Sequence, residues 1–448
     1  MPSNSYNLTI NNKIPSFKKS IEVDADKSIS IRSFLISSIS QNISSVQNVL
    51  MSEDVKSTIK CLRKLGVKIV KQKEKSFLIY GKGLGSLIAK KNISLDFGNS
   101  GTLARLLIGI LSTTPNIKVK ISGDKSLNKR NMKKLIDLMS KFGASFYPKN
   151  KFKFPLNMIS TKMPIGIYYN SGVSAQLKSA VILAALNSFG NTEIQEKEKS
   201  RDHTENMLLK NTQAIKVLNN KYKIIKVFGK RYLKPIHLKV PGDVSASAFF
   251  AALTLLNYNS SIKIKNVGLN STRLGFYKLM KKHKAKIKFT NLKRENNETR
   301  GDILIKSSKL KPIKANKSYY PSTTDEFPIL FVIAALTKGV SIFNGIGDLV
   351  NKESNRITEM QKVLEQIGIK SISSKNQLKI FGKGLINAIG KKINVPNLGD
   401  HRICMSSFVL AALTGAEVKI KNFETVNTSS PSFLKIMKLL GAKFEIQK

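Results

Sequence analysis

The sequence has few cysteines and no long apolar segments. Its two cysteines, Cys61 and Cys404, are too few for a disulfide scaffold, and no spacing suggests a zinc site. Apolar helical stretches such as 249–256 are interrupted within about a dozen residues, short of the ~20 that span a bilayer. The first 19 residues are polar and lack the apolar segment of a secretory signal peptide. These absences predict a reduced, soluble, cytoplasmic protein with no membrane segment and no metal site.

Acidic residues are scarce as well, with 28 Asp and Glu against 76 Lys and Arg, so the formal net charge is +48. Such an excess attracts polyanions, which makes nucleic acid a candidate partner. The lysines are spread along the whole chain, however, and no aromatic RNA-binding segment, basic zipper or zinc-finger spacing accompanies them. We interpret the charge as a lysine-rich composition on solvated surfaces and predict no nucleic-acid partner.

An internal repeat organises the 448 residues, a length that predicts two or more domains. Six segments share a polar or glycine-containing start followed by an apolar helical run. Their starts lie 71–80 residues apart, at Ser28, Thr102, Ser174, Ser245, Asp325 and Asp400. Each segment predicts one unit of helix, strand, helix and strand. Six such units favour two domains of three units each, facing a cleft, with the division near 239–242.

A second repeated pattern marks where helices end. Gly66, Gly143, Gly368 and Gly441 each follow an apolar helical run and precede a short strand-like segment. Glycine suits the left-handed position just after a helix. The sequence therefore predicts an α/β protein built by repetition.

The helix starts are where chemistry is expected. Unpaired N–H groups and the positive end of the helix dipole make a helix N-terminus a site for anions. In the first half of the chain, a cation lies four residues after the start, on the same helix face. These pairs are Ser28 with Arg32, Gly101 with Arg105, and Ser174 with Lys178. Ser, Thr and Asp also occur there as simple caps, so both interpretations stay open at this point.

Arginine is the informative minority among the basic residues. The planar guanidinium group grips carboxylate or phosphate with two hydrogen bonds, which lysine cannot do. Most of the eleven arginines lie at or beside the repeated helix starts and polar turns, namely Arg32, Arg105, Arg130, Arg201, Arg273, Arg356 and Arg402. The sequence therefore predicts a two-domain α/β protein that closes over small molecules with more than one phosphate or carboxylate.

Nine motifs, in order and covering nearly the whole chain, closely resemble the 5-enolpyruvylshikimate-3-phosphate (EPSP) synthase family. They are DKSISIR at 26–32, GNSGT at 98–102, GDKSLNKR at 123–130, SAQLKSA at 174–180, SRDHTE at 200–205, VPGD at 240–243, DEFP at 325–328, KESNR at 352–356 and DHR at 400–402. The resemblance implies two similar α/β domains, each of three βαβαββ repeats. Residues 22–240 would form the first domain, and residues 1–21 with 241–448 the second.

The resemblance also implies an activity. Members of the family transfer the enolpyruvyl group of phosphoenolpyruvate to the 5-hydroxyl of shikimate 3-phosphate, releasing phosphate, through a tetrahedral intermediate. This step belongs to chorismate and aromatic amino-acid biosynthesis. The expected partners are these two small substrates, without metal, organic cofactor, nucleic acid or membrane, and we expect a cytoplasmic monomer.

Residue roles carry over motif by motif. By resemblance, Asp325 takes the hydroxyl proton, Glu353 is the acid and base at the methylene carbon, and Lys27 stabilises developing charge. The residues implied for shikimate 3-phosphate are Lys27, Ser28, Arg32, Ser174, Ala175, Gln176, Arg201, Asp325 and Lys352. Those implied for phosphoenolpyruvate are Lys27, Gly101, Arg130, Gln176, Arg356 and Arg402.

Some positions depart from the family pattern, although none of them removes a catalytic group. Asp24-Ala25 replaces a usual Pro-Gly, Ile31 stands where a polar residue is common, and Asn355 replaces a frequent Asp. Thr428 stands where some members have a late lysine. Gly101, rather than a larger residue, predicts a phosphoenolpyruvate pocket with room for glyphosate.

Two other functions compete with this prediction. The related transferase that acts on UDP-N-acetylglucosamine typically has a reactive cysteine shortly before the counterpart of Arg130, but 114–129 contains none. An RNA-binding or RNA end-processing protein of related fold would fit the net charge. It would not explain Asp325, Glu353 and the helix-start cations.

Overall fold

The chain divides into two compact units in a computed structural model that describes residues 5–219 and 221–447. The first unit consists of Ala25–Val240 and Glu295–Glu298, and the second of Met1–Asp24, Pro241–Arg294 and Thr299–Lys448. The predicted second domain starts at residue 1 and ends at residue 448, so its outermost residues, 1–4 and 448, lie outside the described residues.

Helices account for the apolar runs of the sequence. The α-helices are α1 Lys27–Ile39, α2 Glu53–Lys64, α3 Gly101–Thr113, α4 Lys125–Lys129, α5 Lys133–Lys141, α6 Ala175–Ala185, α7 His203–Leu208, α8 Val244–Leu256, α9 Gly275–Lys282, α10 Tyr320–Thr323, α11 Phe327–Ala335, α12 Arg356–Glu365, α13 His401–Thr414 and α14 Phe433–Leu439. Short 3-10 helices lie at Lys317–Tyr319, Gly347–Asn351 and Phe423–Thr428. Among the described residues, no helix combines the length and the apolar character that crossing a bilayer requires.

The strands are short and lie between these helices. They are β1 Asn7–Ile10, β2 Lys18–Glu22, β3 Ile43–Gln47, β4 Lys68–Lys73, β5 Ser76–Tyr80, β6 Ser94–Asp96, β7 Lys118–Ser122, β8 Ser145–Tyr147, β9 Leu156–Ile159, β10 Tyr168–Ser171, β11 Asn191–Glu196, β12 Ile215–Asn219, β13 Lys223–Phe228, β14 His237–Lys239, β15 Ser261–Gly268, β16 Lys286–Glu295, β17 Glu298–Lys306, β18 Lys314–Ala315, β19 Gly339–Asn344, β20 Ser371–Ser374, β21 Gln377–Gly382, β22 Lys392–Val395, β23 Glu417–Ile420 and β24 Phe444–Gln447.

The described strands form six four-stranded sheets with one common topology. In the first unit the strand orders are β14-β3-β5-β4, β6-β7-β9-β8 and β10-β11-β13-β12, and in the second β2-β15-β17-β16, β18-β19-β21-β20 and β22-β23-β1-β24. In each sheet the first pair is parallel and the second pair antiparallel. The six predicted repeats are thus six copies of one sheet, each with its helices, and the predicted α/β fold class is confirmed.

The six predicted helical runs form the centre of the two units. In the first unit these helices are α1, α3 and α6, and in the second α8, α11 and α13. Every residue of α8, α11 and α13 is buried. A helix such as α11, which is apolar all round, is stable only when it is surrounded by other elements. Each unit has its own apolar core around these helices, in which a fully buried Leu, Ile or Phe contributes about 1.5–3 kcal/mol.

The predicted glycine stops are found at the ends of the outer helices. Gly66 follows α2 with a φ of 84°, and Gly441 follows α14 with a φ of 99°. Both angles lie in the left-handed region, which a side chain with a Cβ rarely adopts. After each of these glycines the chain enters a strand, β4 after Gly66 and β24 after Gly441.

Candidate active site

The central helices of the first unit begin at the predicted motif residues. Their caps are Asp26, Ser100 and Ser174, whose side-chain oxygens accept from backbone N–H groups of the first turn at 2.8, 3.2 and 3.4 Å. The hydroxyl of Ser174 is therefore a cap, as the structural interpretation of these positions allows. Lys27, Gly101 and Ala175 are the first helical residues, at the positive end of each helix dipole.

Arg32 is buried and fixed by neutral oxygens. Its Nε donates to the Thr204 hydroxyl at 2.9 Å, and its terminal nitrogens donate to the Ser28 carbonyl at 3.1 Å and the Ser179 hydroxyl at 3.4 Å. These partners hold one guanidinium group between three helices, α1, α6 and α7. The pair Ser28 and Arg32 is therefore in direct contact, as the four-residue spacing predicts.

Gln176 is oriented by two residues of α3. Arg105 Nη1 donates to Gln176 Oε1 at 2.7 Å and to the Gly101 carbonyl at 3.0 Å. The Gln176 amide nitrogen donates to the Thr102 hydroxyl at 3.0 Å. Because its amide oxygen and its amide nitrogen are both hydrogen-bonded, the side chain of Gln176 has one defined orientation.

Gly101 leaves room for two arginines at the start of α3. A Cβ at this position would lie 2.7 Å from Arg105 Nη1 and 2.9 Å from Arg130 Nη1. Arg130 Nη2 donates to Asn99 Oδ1 at 2.8 Å, which holds the guanidinium group beside the glycine. The absence of a side chain at residue 101 thus decides where Arg130 lies.

Lys27 and Lys178 have different environments, although both are cations near a helix start. Lys27 keeps 19% of its side chain exposed, and its Nζ lies 3.2 Å from Asp54 Oδ2. Lys178 is fully buried, with Nζ 2.6 Å from Glu196 Oε1 and 2.7 Å from Glu205 Oε1. The interpretation of Lys178 as a ligand for an anion is therefore wrong, because two buried carboxylates already occupy its ammonium group.

In the second unit, one arginine joins the predicted proton-transfer residues. The buried Arg356 contacts Asp400 through Nε at 2.9 Å, Glu353 through Nη2 at 2.7 Å and Asp325 through Nη1 at 3.7 Å. Burial would lower the pKa of Arg356, but Asp400, Glu353 and Asp325 outweigh it and raise that pKa above its usual value. The guanidinium group stays charged, and it fixes the distance between the two carboxylates of the predicted chemistry.

Asp325 and Glu353 both remain partly accessible. Their side chains are 25% and 22% exposed, whereas Asp400 on the other side of Arg356 is fully buried. Lys352, next in the sequence to Glu353, pairs with Asp348 at 2.6 Å rather than with its neighbour. Asp348 also accepts from the Tyr320 hydroxyl at 2.8 Å. This second bond fixes the carboxylate that holds the ammonium group of Lys352.

Arg402 is a buried cation with spare donors. It is the second residue of α13, it is only 4% exposed, and its guanidinium carbon lies 5.7 Å from the centre of the Phe249 ring. Its Nε and Nη1 are buried without a hydrogen-bond partner among the described residues. A buried charge with unmet donors is costly unless an anion completes it. This arrangement is suited to a phosphate or a carboxylate.

Sequence reasoning gave no role to several residues that support the predicted ones. Asp400 accepts from the backbone N–H of Arg402 at 2.9 Å as well as from Arg356, and thereby joins two predicted ligands. Its place in the DHR motif at 400–402 was the signal for such a role. Asn99, beside Arg130, is likewise part of a motif, whereas nothing in the sequence marks Asp54 as the partner of Lys27. Among the described residues, no three His, Cys, Asp or Glu side chains come together as metal ligands would.

Comparison with known proteins identifies the family. The family model described as EPSP synthase (3-phosphoshikimate 1-carboxyvinyltransferase) matches residues 12–437. A 3-phosphoshikimate 1-carboxyvinyltransferase from Zymomonas mobilis is 37% identical over 442 residues, covering 98% of this chain and 97% of that protein. One from Bacillus subtilis is 34% identical over 432 residues, covering 96% and 99%.

Solved structures agree with this result. The EPSP synthase from Acinetobacter baumannii superposes with a TM-score of 0.85 at 32% identity, covering 99% of this chain and 100% of that one. The enolpyruvyl transferase NikO from Streptomyces tendae, at 11% identity and a TM-score of 0.76, shares the fold over 99% of both chains. The predicted family is confirmed, and the chain belongs to the EPSP synthase family.

Proposed function

We propose that this chain is a 3-phosphoshikimate 1-carboxyvinyltransferase of chorismate and aromatic amino-acid biosynthesis. Family membership supports the reaction, and one structural observation supports the site. Arg402 is buried and has hydrogen-bond donors without a partner among the described residues. It lies near Arg356, which contacts three carboxylates, because Asp400 contacts both arginines. A dianionic substrate that reacts by proton transfer needs such a combination of spare cation and carboxylates.

The reaction requires two proton movements. The 5-hydroxyl oxygen of shikimate 3-phosphate bonds to the substituted carbon of phosphoenolpyruvate while the methylene carbon gains a proton, giving the tetrahedral intermediate. The bond from that carbon to the phosphate oxygen then breaks, and the methyl group returns a proton. We assign the hydroxyl proton to Asp325 and both steps at carbon to Glu353, while Lys27 stabilises the charge that develops.

The cations and helix starts are assigned to the two substrates. For shikimate 3-phosphate we assign Lys27, Ser28, Arg32, Ser174, Ala175, Gln176, Arg201, Asp325 and Lys352. For phosphoenolpyruvate we assign Lys27, Gly101, Arg130, Gln176, Arg356 and Arg402. Of these, Ala175 and Gly101 would contribute backbone at a helix start, where the helix dipole favours an anion. We further propose that the protein is a cytoplasmic monomer.

The function is tested by phosphate release from the purified protein. We expect release only when phosphoenolpyruvate and shikimate 3-phosphate are both present. Release with UDP-N-acetylglucosamine in place of shikimate 3-phosphate would instead support the related cell-wall transferase. Salt-dependent binding of RNA without release under any condition would favour the RNA-binding alternative.

A small substitution at Gly101 is expected to weaken phosphoenolpyruvate binding and glyphosate inhibition together. In Gly101→Ala the new Cβ would come within 2.9 Å of Arg130 Nη1, so this guanidinium group must move. Loss of one charge-assisted contact corresponds to a KM for phosphoenolpyruvate raised by up to about 10–150-fold. Steady-state kinetics with and without glyphosate measure both effects.

The matched control is Gly172→Ala in the same unit, where a Cβ meets no atom within 4 Å. It should leave both constants unchanged. The pocket assignment is wrong if Gly101→Ala behaves like this control, or if millimolar glyphosate does not slow the unsubstituted protein at modest phosphoenolpyruvate.

A further inference from the structure

Four charged side chains, three of them fully buried, form a cluster in the first unit. Lys178 of α6 contacts Glu196 of β11 and Glu205 of α7 at 2.6 and 2.7 Å. Lys223 of β13 contacts the same two carboxylates at 3.5 and 3.1 Å. Three of the side chains are at most 1% exposed, and Lys223 is 16% exposed. This group of two ammonium and two carboxylate groups is called the lysine–glutamate cluster below.

Glu205 and Lys223 hold each other in the ionised form. Burial alone would raise the pKa of Glu205, but Lys178 and Lys223 outweigh it and lower that pKa to about 2. Burial would likewise lower the pKa of Lys223, but Glu205 and Glu196 raise it above its usual value. Such clusters are often no more stabilising than apolar residues of the same volume. Fold stability therefore gives no sufficient reason for four charges at this place.

Through Glu196, the cluster also holds the turn before α7 in place. Glu196 Oε1 accepts from both the backbone N–H of Ser200, at 2.9 Å, and the Ser200 hydroxyl, at 2.6 Å. Arg201, the residue after this serine, is partly buried, with Ser200 fixed immediately before it. Because both donors of Ser200 bind the same carboxylate oxygen, they define the position and the orientation of the turn.

The same cluster also connects to the other shikimate 3-phosphate residues that we assign. Lys178 lies on α6, one turn after Ser174, and Glu205 follows Thr204, the acceptor of Arg32 Nε. The cluster thus contacts α6 and the turn at Ser200, which carry or precede assigned residues, and α7, whose Thr204 holds Arg32.

We propose that Glu196, held by Lys178, is a positioning residue for shikimate 3-phosphate, which acts through Ser200 on Arg201. This inference rests on the proposed function. The cluster sets the affinity for the acceptor substrate and leaves phosphoenolpyruvate binding unaffected.

The test compares Glu196→Gln with Glu193→Gln. Both lie on β11, but Glu193 forms an exposed pair with Lys226 at 3.2 Å. In Glu196→Gln the two bonds from Ser200 meet a neutral acceptor, and charge-assisted bonds are about twice as strong as neutral ones. We expect the KM for shikimate 3-phosphate to rise about 10-fold, with the KM for phosphoenolpyruvate within about twofold. Glu193→Gln should match the unsubstituted protein.

A milder variant keeps the test decisive if Glu196→Gln folds poorly. Ser200→Ala removes only the hydroxyl bond and should raise the KM for shikimate 3-phosphate about threefold. In the double variant the two effects should not add, because Glu196 acts through Ser200. A lowered melting temperature with an unchanged KM, equal rises in both KM values, or additive effects would each overturn the inference while the enzyme remains active. No turnover in the unsubstituted protein would instead overturn the proposed function, and this inference with it.

Discussion

Replacing Asp325 by asparagine is expected to lower kcat by about 10²–10⁴-fold, the usual contribution of a general base. The amide keeps the size of the side chain but cannot accept the hydroxyl proton of the acceptor substrate. Asp325 is 25% exposed and is the most distant of the three carboxylates around Arg356, at 3.7 Å. Since Asp400 and Glu353 remain, the fold and the position of Arg356 should survive the change.

The measurement is the initial rate of phosphate release at saturating substrates, together with thermal unfolding of the same preparation. The matched control is Asp137→Asn, which changes an exposed carboxylate paired with Lys133 at 3.0 Å on α5. This control should retain full activity. A kcat for Asp325→Asn within tenfold of the unsubstituted value would transfer the role of hydroxyl base to another group, and Glu353 would be the first to test.

The fold could be predicted from the sequence because the same pattern recurs six times along the chain. Each copy shows a polar or glycine-containing start and an apolar run, and four copies also show a glycine stop. Any one copy alone would be weak evidence. Gly66 and Gly441, for example, are interpretable because they recur at matching places and need the same positive φ. The caps were predictable for a similar reason, since Asp26 and Ser100 each accept from a backbone N–H of the turn that directly follows.

The direction of a side chain was not predictable in the same way. Arg32, Arg105 and Lys178 share one spacing from a helix start, yet Arg32 donates to a hydroxyl group, Arg105 to an amide oxygen and Lys178 to two carboxylates. Its partners Glu196 and Glu205 come from other elements, and a local pattern contains no information about them. Asp400 is a different case. The motif at 400–402 indicated that this residue matters, but it did not predict that Asp400 joins Arg356 to the start of α13.

Replacing Arg402 by methionine is expected to separate binding from stability. One charge-assisted contact is worth about 1.5–3 kcal/mol, so the KM for phosphoenolpyruvate should rise about 10–150-fold. The free energy of unfolding should stay equal or increase, because Nε and Nη1 have no hydrogen-bond partner among the described residues to lose. The contact with the Phe249 ring at 5.7 Å offsets only part of the cost of burying this charge. Steady-state kinetics and denaturant unfolding on one preparation measure the two quantities.

Arg356→Met provides the contrast that makes this prediction specific. Removing Arg356 leaves Asp400 fully buried without its main cation, and breaking a buried pair costs about 3–5 kcal/mol of stability. Both variants should lose phosphoenolpyruvate binding, but only Arg356→Met should lose stability, while Arg231→Met, at an exposed position, should lose neither. If Arg402→Met unfolds as readily as Arg356→Met, Arg402 is a structural cation whose partners form within the chain. If its stability holds while binding falls, the cost of the buried guanidinium group is met by the substrate, as expected of a residue kept for binding an anion.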